Sequence, residues 1–152
     1  MFQWFLNWLE RKGRKSTIMD RDDVSPLLNR WYLAFPDHDR RQRYDIPFNA
    51  FIHQFMASDK PVLHDHPWWY FTVILKGGYW EHLKDGSRKW RRPGSFRYNN
   101  GDYHWIEIPE VGKTWTLFIR GRKSREWGFL DEETNQWMRW DKYLEKYRMK
   151  LV

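Results

Sequence analysis

A mainly β domain, a sandwich or barrel with one helix at each end, is predicted by three features of this 152-residue sequence. Short runs rich in aromatic and β-branched residues recur between residues 30 and 130, with turn signals roughly every 8–12 residues. Apolar residues at three- and four-residue steps are confined to the two ends of the chain. Apolar and charged fractions of 41% and 31% suit one compact core of ordinary domain size.

Residues 1–29 divide into a helix and a linker. From Met1 to Leu9, the residues Phe2, Phe5, Leu6 and Leu9 fall at helical spacing, and Trp4 and Trp8 widen the stripe. Arg11, Lys12, Arg14 and Lys15 follow around Gly13. The expectation is a helix packed on the main domain or on a second copy of the chain. Aromatics beside a basic cluster also fit an interfacial membrane anchor. Residues 16–28, marked by Asp20, Asp22, Asp23 and Pro26, read as an irregular connection.

Residues 30–130 carry the strands. The runs are Trp31–Ala34, Ala50–Met56, Trp69–Leu75, Tyr79–Leu83, Ser95–Tyr98, Tyr103–Ile108, Trp115–Ile119 and Glu126–Leu130. Pro36-Asp37, Ser58-Asp59, Gly77-Gly78, Asp85-Gly86, Pro93-Gly94, Asn100-Gly101, Val111-Gly112 and Gly121 punctuate them. Residues 131–152 read as a second amphipathic helix. Asp131 is its expected N-cap, Glu132 and Glu133 suit the positive end of the helix dipole, and Trp137, Trp140, Leu144, Tyr147 and Leu151 form its apolar stripe. Lys142, Lys146, Arg148 and Lys150 occupy other positions of that helix.

Composition excludes several chemistries. No run approaches the roughly 18 uncharged apolar residues of a membrane span, and the N-terminus lacks a secretory signal pattern. The expected compartment is the cytoplasm. Cysteine is absent, which removes disulfides, thiolate metal sites and cysteine nucleophiles. Any metal must then be held by nitrogen or oxygen. A net charge of +7 favours an anionic partner. Twelve tryptophans exceed what a core of this size demands, so some rings are expected to line a cavity or a partner surface. No helix-turn-helix, zinc-finger or RNP motif supports nucleic-acid binding.

The chemistry-bearing stretch is Leu63-His64-Asp65-His66-Pro67. On an extended strand, His64 and His66 point to one face, a spacing suited to chelating one ion. Asn100-Gly101-Asp102-Tyr103 leads into His104, a third imidazole placed where an antiparallel barrel would bring the chain back to its interior. Three such ligands leave positions open for water, oxygen or substrate, as catalytic metals require.

With these residues the sequence resembles the cupin family, whose motifs are G-x5-H-x-H-x3-4-E-x6-G and G-x5-P-x-G-x2-H-x3-N. His64, His66 and Gly77 match the first, and Gly94, Gly101 and His104 fall on the second. Small bacterial and bacteriophage cupins share phrases such as Leu63–Trp68 (LHDHPW), Phe51–Asp59, Leu75–Glu81 and Trp115–Gly121. The resemblance implies a cupin jelly-roll barrel, a double-stranded β-helix, over residues 30–130. It implies one divalent transition metal (Fe, Zn, Mn or Ni) on His64, His66 and His104, and it admits a homodimer, as many cupins form. The family's glutamate is due at position 70 or 71, where this chain has Tyr70 and Phe71, and its asparagine is replaced by Ile108. Three neutral ligands leave the ion's charge unneutralised, which favours acidified water or an anionic substrate.

Other residues are candidates around that centre. His53 is a general base, substrate contact or fourth ligand, or else a buried histidine satisfied by the backbone. Glu81, the nearest carboxylate in sequence beyond the missing one, is a proton shuttle or ligand, or an exposed strand residue. Tyr70 offers a phenol to a bound anion. Trp68 or Trp69 could stack on a planar substrate. Arg97 (with Lys84, Arg88, Lys89, Arg91 and Arg92) and Arg120 and Arg125 (with Arg122 and Lys123) could grip phosphate or carboxylate near a barrel mouth, against solvated loops as the alternative. The expected function is metal-assisted hydrolysis of a small anionic, phosphorylated or nucleotide-like substrate. The alternatives are an Fe(II)-dependent dioxygenase and a non-enzymatic barrel that sequesters a nucleotide-like ligand.

Overall fold

A computed structural model describes residues 2–20, 24–36 and 46–148. Met1, Asp22, Asp23, Asp37, Lys150 and Leu151, named above, lie outside the described residues. Helix α1 (Gln3–Arg11) is followed by strands β1 (Lys15–Met19), β2 (Pro26–Tyr32), β3 (Phe48–Phe55), β4 (Tyr70–Lys76), β5 (Tyr79–Leu83) and β6 (Arg88–Arg91). Strands β7 (Phe96–Asn99), β8 (His104–Glu107), β9 (Trp115–Gly121), β10 (Gly128–Leu130) and β11 (Trp137–Arg139) precede helix α2 (Trp140–Arg148). The mainly β class with two terminal helices is therefore observed. No helix among the described residues is long and apolar enough to cross a membrane.

The strands form two facing sheets. One is antiparallel in the order β1-β2-β3-β9-β4-β7; the other is β6-β5-β8. Single bridges from His64 to His104 and to Phe129 carry the second sheet on to the β10-β11 hairpin. Alternation along β3 shows why the sequence folds this way. Phe51, His53 and Phe55 turn into the lumen between the sheets, while Ile52 points outward.

That outward face is where α1 docks. Leu6 and Leu9 close over Trp31 and Ile52, with Phe5, Leu33, Trp115 and Leu117 packed around them. The helix is thus anchored on its own domain. Its C-terminal counterpart, α2, seats Tyr143 on Val62 and Phe129, with Trp127, Met138, Leu144 and Tyr147 adjoining.

The observed elements differ from the sequence expectation at three places. Residues 15–19, overlapping the start of the expected irregular connection at 16–28, pair with β2 as an edge strand. Arg88–Arg91 forms β6, a strand so rich in charge that no apolar alternation marks it. Asp131 does not cap a helix. It closes the β10-β11 hairpin, its N–H donating to Gln136 O at 2.8 Å, and the helix starts only at Trp140. Trp137 belongs to β11, which lies so close to β10 that a Cβ on Gly128 would run into Met138 O.

Candidate metal centre

The three histidines are brought together by backbone pairing. His64 and His104 exchange both backbone hydrogen bonds at 3.0 Å, so their side chains stand beside each other on one face. His66, two residues on from His64, points the same way. One ligand nitrogen from each of His64, His66 and His104 lies within 4.8 Å of the others, and His66 Nε2 is 3.0 Å from His104 Nε2. Nitrogens sharing a tetrahedral ion at ~2.0–2.1 Å would stand about 3.3 Å apart. The donor set fits a divalent transition metal.

The outer nitrogens of two rings are tied down. His104 Nδ1 donates to Glu81 Oε1 at 2.9 Å, and His64 Nδ1 faces Val62 O at 3.4 Å. With its Nδ1 proton on Glu81, the His104 ring turns Nε2 toward His66, the arrangement that orients metal-ligating imidazoles. Glu81 is fully buried. Its other contacts are Arg91, whose Nε donates at 2.8 Å, and Arg97, whose Nε donates at 3.1 Å. These partners outweigh the cost of burial and bring its carboxyl down to about 2, with His104 the largest favourable influence. Glu81 lies outside the group whose ligand atoms meet, and it braces a ligand instead. Asp65, between the two histidines, points the other way and accepts from Gly128 N at 2.7 Å.

A cavity of about 160 Å³ opens on the histidines. It is lined by Arg30, His53, Trp68, Tyr70, Thr116 and Phe118 among others. His53 is buried, and Arg30 Nε donates to its Nε2 at 3.0 Å. Burial and the adjacent Arg30 charge hold the imidazole pKa well below its ordinary value. The Tyr70 hydroxyl accepts from Asn99 Nδ2 at 3.2 Å and lies 3.3 Å from His104 Nε2. Burial first, then Tyr79 and Glu81, push its pKa well above the usual phenol value, so it stays protonated. Trp68 Nε1 and Thr116 Oγ1 are buried without a hydrogen-bond partner among the described residues. An orphaned buried polar atom costs about 1–3 kcal/mol, so both suit a ligand's polar groups.

No protein-family model matches the chain, and no curated protein matches it. Solved structures do. A sugar phosphate isomerase from a cupin superfamily, from Silicibacter pomeroyi, superposes with a TM-score of 0.55 at 12% identity, covering 77% of this chain and 74% of that one. The chain has the cupin fold. FeII HppE is similar at a TM-score of 0.50 and 13% identity, over 71% of this chain and 57% of that one. The DMSP lyase DddQ from Ruegeria pomeroyi aligns over 49% of this chain and 38% of that one, with a TM-score of 0.42 and 17% identity. The chain therefore spans less than two thirds of the length of the last two relatives.

Within this cupin barrel the remaining sequence candidates separate by position. Tyr70, at one of the two places expected for the family's glutamate, reaches the centre with a phenol; the buried carboxylate comes from Glu81 on the opposite sheet. Arg97 is spent on Glu81, Asp102 and the Tyr98 carbonyl, behind the ligands. Arg120 is buried with its guanidinium 4.6 Å from the Trp68 ring. Arg125 donates to His66 O at 2.9 Å and Asn100 Oδ1 at 3.0 Å, bracing the ligand loop from outside. None of these three lines the cavity. Sequence reasoning missed Arg30 and Asn99. Arg30 sits opposite His53 in the β2-β3 register, a pairing across 23 residues that no local pattern announces. Asn99 is fully buried; its Oδ1 accepts from Gly101 N and Asp102 N at 3.0 Å, fixing the turn before His104. The adjoining Asn100-Gly101 turn signal was its only trace.

Proposed function

We propose that this protein is a metal-dependent enzyme that binds a small anionic substrate, phosphoryl- or carboxylate-bearing, at His64, His66 and His104 and hydrolyses it. The observation that carries the reading is the convergence of three neutral ligands, without a carboxylate, on a cavity that also holds Arg30. A divalent ion bound there would supply Lewis-acid polarisation of a substrate oxygen and acidify water.

The chain's own residues would bind and orient. Tyr70 keeps its proton and, with Asn99 donating to its oxygen, aims that proton toward the His104 side of the cavity. Once His104 Nε2 is committed to an ion, this O–H is left to donate to a substrate oxygen. His53 is neutral, and its Nε2 lone pair is taken by Arg30, so it steadies that guanidinium rather than accepting a proton. Arg30 presents fixed positive charge to an anion. Trp68 Nε1 and Thr116 Oγ1 supply further contacts.

Metal content of protein purified without chelator, followed by incubation with phosphate and carboxylate esters with and without EDTA, tests the reading. Chelator-sensitive ester cleavage, lost in a folded His66→Ala variant, is expected. Turnover that survives either treatment would refute it. Iron-restored oxygen uptake would favour a dioxygenase, and tight binding of intact ligand would favour a sequestering barrel.

A further inference from the structure

The cavity at the histidines is small. Its 160 Å³ falls below the roughly 300 Å³ at which ordinary small-molecule sites begin. A second cavity of about 320 Å³ adjoins it, with Leu27, Asp59 and His64 lining both.

Both chambers have mainly apolar linings and hold different polar groups, the outer one carrying Asp20, Lys60 and Arg148 beside its apolar walls. The inner one is polar around the ligands, with Arg30, His53 and Tyr70. The outer one is a groove between the β1-β2 hairpin and α2. Ile18 and Met19 form one wall and Trp127, Trp140 and Leu144 the other. Trp127 and Trp140 stack nearly parallel, 6.0 Å apart and 9° from coplanar. Met19 and Trp140 are each 39% exposed, a large apolar surface left open beside a candidate ligand. A cavity of roughly 150 Å³ accommodates benzene, so the outer groove is large enough for a fused bicyclic ring or a comparable alkyl chain.

We propose that the two chambers form one bipartite substrate cleft. The anionic head group enters the inner chamber at the histidines, and an aromatic or alkyl portion of the same molecule lies in the groove under α2. His64 stands at the junction, touching head and tail. The head-group half rests on the function proposed above; the tail half rests on the groove alone. The substrate class is accordingly an amphipathic anion, not a bare phosphate or a small hydroxy acid.

The test uses non-hydrolysable phosphonates on the full chain, zinc-loaded and EDTA-treated, with affinity read by calorimetry. Methylphosphonate probes the head site, and butyl-, phenyl- and naphthylphosphonate add tail. Each buried methylene should tighten binding by about fourfold, and naphthylphosphonate should bind the zinc form at least about tenfold tighter than methylphosphonate. Trp140→Ala should erase that preference while leaving methylphosphonate affinity unchanged. Met19→Glu, on the opposite wall and away from α2, should do the same without disturbing the helix. Metal-dependent methylphosphonate binding with no gain from longer tails would overturn the cleft and leave the metal reading intact. Methylphosphonate binding that ignores zinc would overturn the metal reading, while a tail preference lost in both variants would still support the groove.

Discussion

The two faces of strands β2, β3 and β9 carry opposite chemistries through the same cross-strand register. Trp31, Ile52 and Leu117 face out as one row of partners; Arg30, His53 and Thr116 face in as the next. Because neighbours in a strand point to opposite faces, a one-residue offset separates an apolar core from a polar lumen. The outer row is sealed by Leu6 and Leu9 of α1. A barrel that relied on its interior for stability would fill it with aliphatic side chains. Here a helix outside the sheet adds apolar burial of its own, and the interior mixes aromatic rings with histidines, Arg30 and a buried glutamate.

The division can be broken from either side. The largest effect is expected outside. Leu9→Ala removes a fully buried side chain from beneath the sheet and should cost about 2–5 kcal/mol in urea unfolding. Zinc affinity of the folded protein should be unchanged; a parallel loss would show that the outer row shapes the metal centre. From inside, Glu81→Gln removes the carboxylate that fixes the His104 tautomer and should weaken zinc binding by about 10–100-fold in a competition titration. The same change takes the carboxylate from Arg91 and leaves Arg97 with Asp102 alone, so stability should fall as well. Unaltered zinc affinity would mean that Glu81 serves only those arginines. Thr116→Val sharpens the contrast with an opposite sign. Replacing an orphaned buried hydroxyl by a methyl should raise stability by about 1 kcal/mol while weakening phosphonate binding.

The inner row was the more legible where chemistry marks it and the less legible where register does. His64, His66 and His104 stand out because histidine two apart on a strand, with a third after an Asn-Gly turn, is an uncommon local pattern. The site they build depends on a single backbone bridge between His64 and His104 that brings distant segments together. Arg30 was passed over because its function arises only from lying opposite His53. Arg97, Arg120 and Arg125 were legible as charges but not as destinations: each reaches a carboxylate, ring or carbonyl that the fold supplies. The edge strand β6 escaped notice because an exposed strand of charged residues carries little alternation, and β1 because its five residues bury none of their side chains fully. In β11, Trp137 falls at helical spacing from Trp140, and the helical pattern hid the strand.

The smallest effect separates the two helices. Among the described residues helix α1 is held mainly by apolar contact, with a hydrogen bond from Trp31 Nε1 to Glu10 Oε1 at 3.1 Å and the exposed ion pair Glu10–Lys15 at 2.9 Å, the latter worth about 0–1 kcal/mol. Helix α2 adds a polar anchor. Lys146 Nζ and the Tyr147 hydroxyl donate to the buried Asp131 carboxylate at 2.7 and 2.5 Å. Lys146 first, then Tyr147, lower the Asp131 pKa, so its contribution is present above the ordinary carboxylate value of about 3.9 and fades as pH falls through the lowered one. Asp131 in turn raises the Lys146 pKa and lifts Tyr147 to about 12. Those contributions are present below the ordinary values of about 10 and fade as pH rises past them. Hydrogen exchange along α2 should therefore be slowest between about pH 4 and 10, once corrected for intrinsic rates. Protection should loosen on both sides before α1 changes. Asp131→Asn should abolish the acid limb. If α1 and α2 lose protection together at acid pH in both proteins, the polar anchor does not govern how α2 is held.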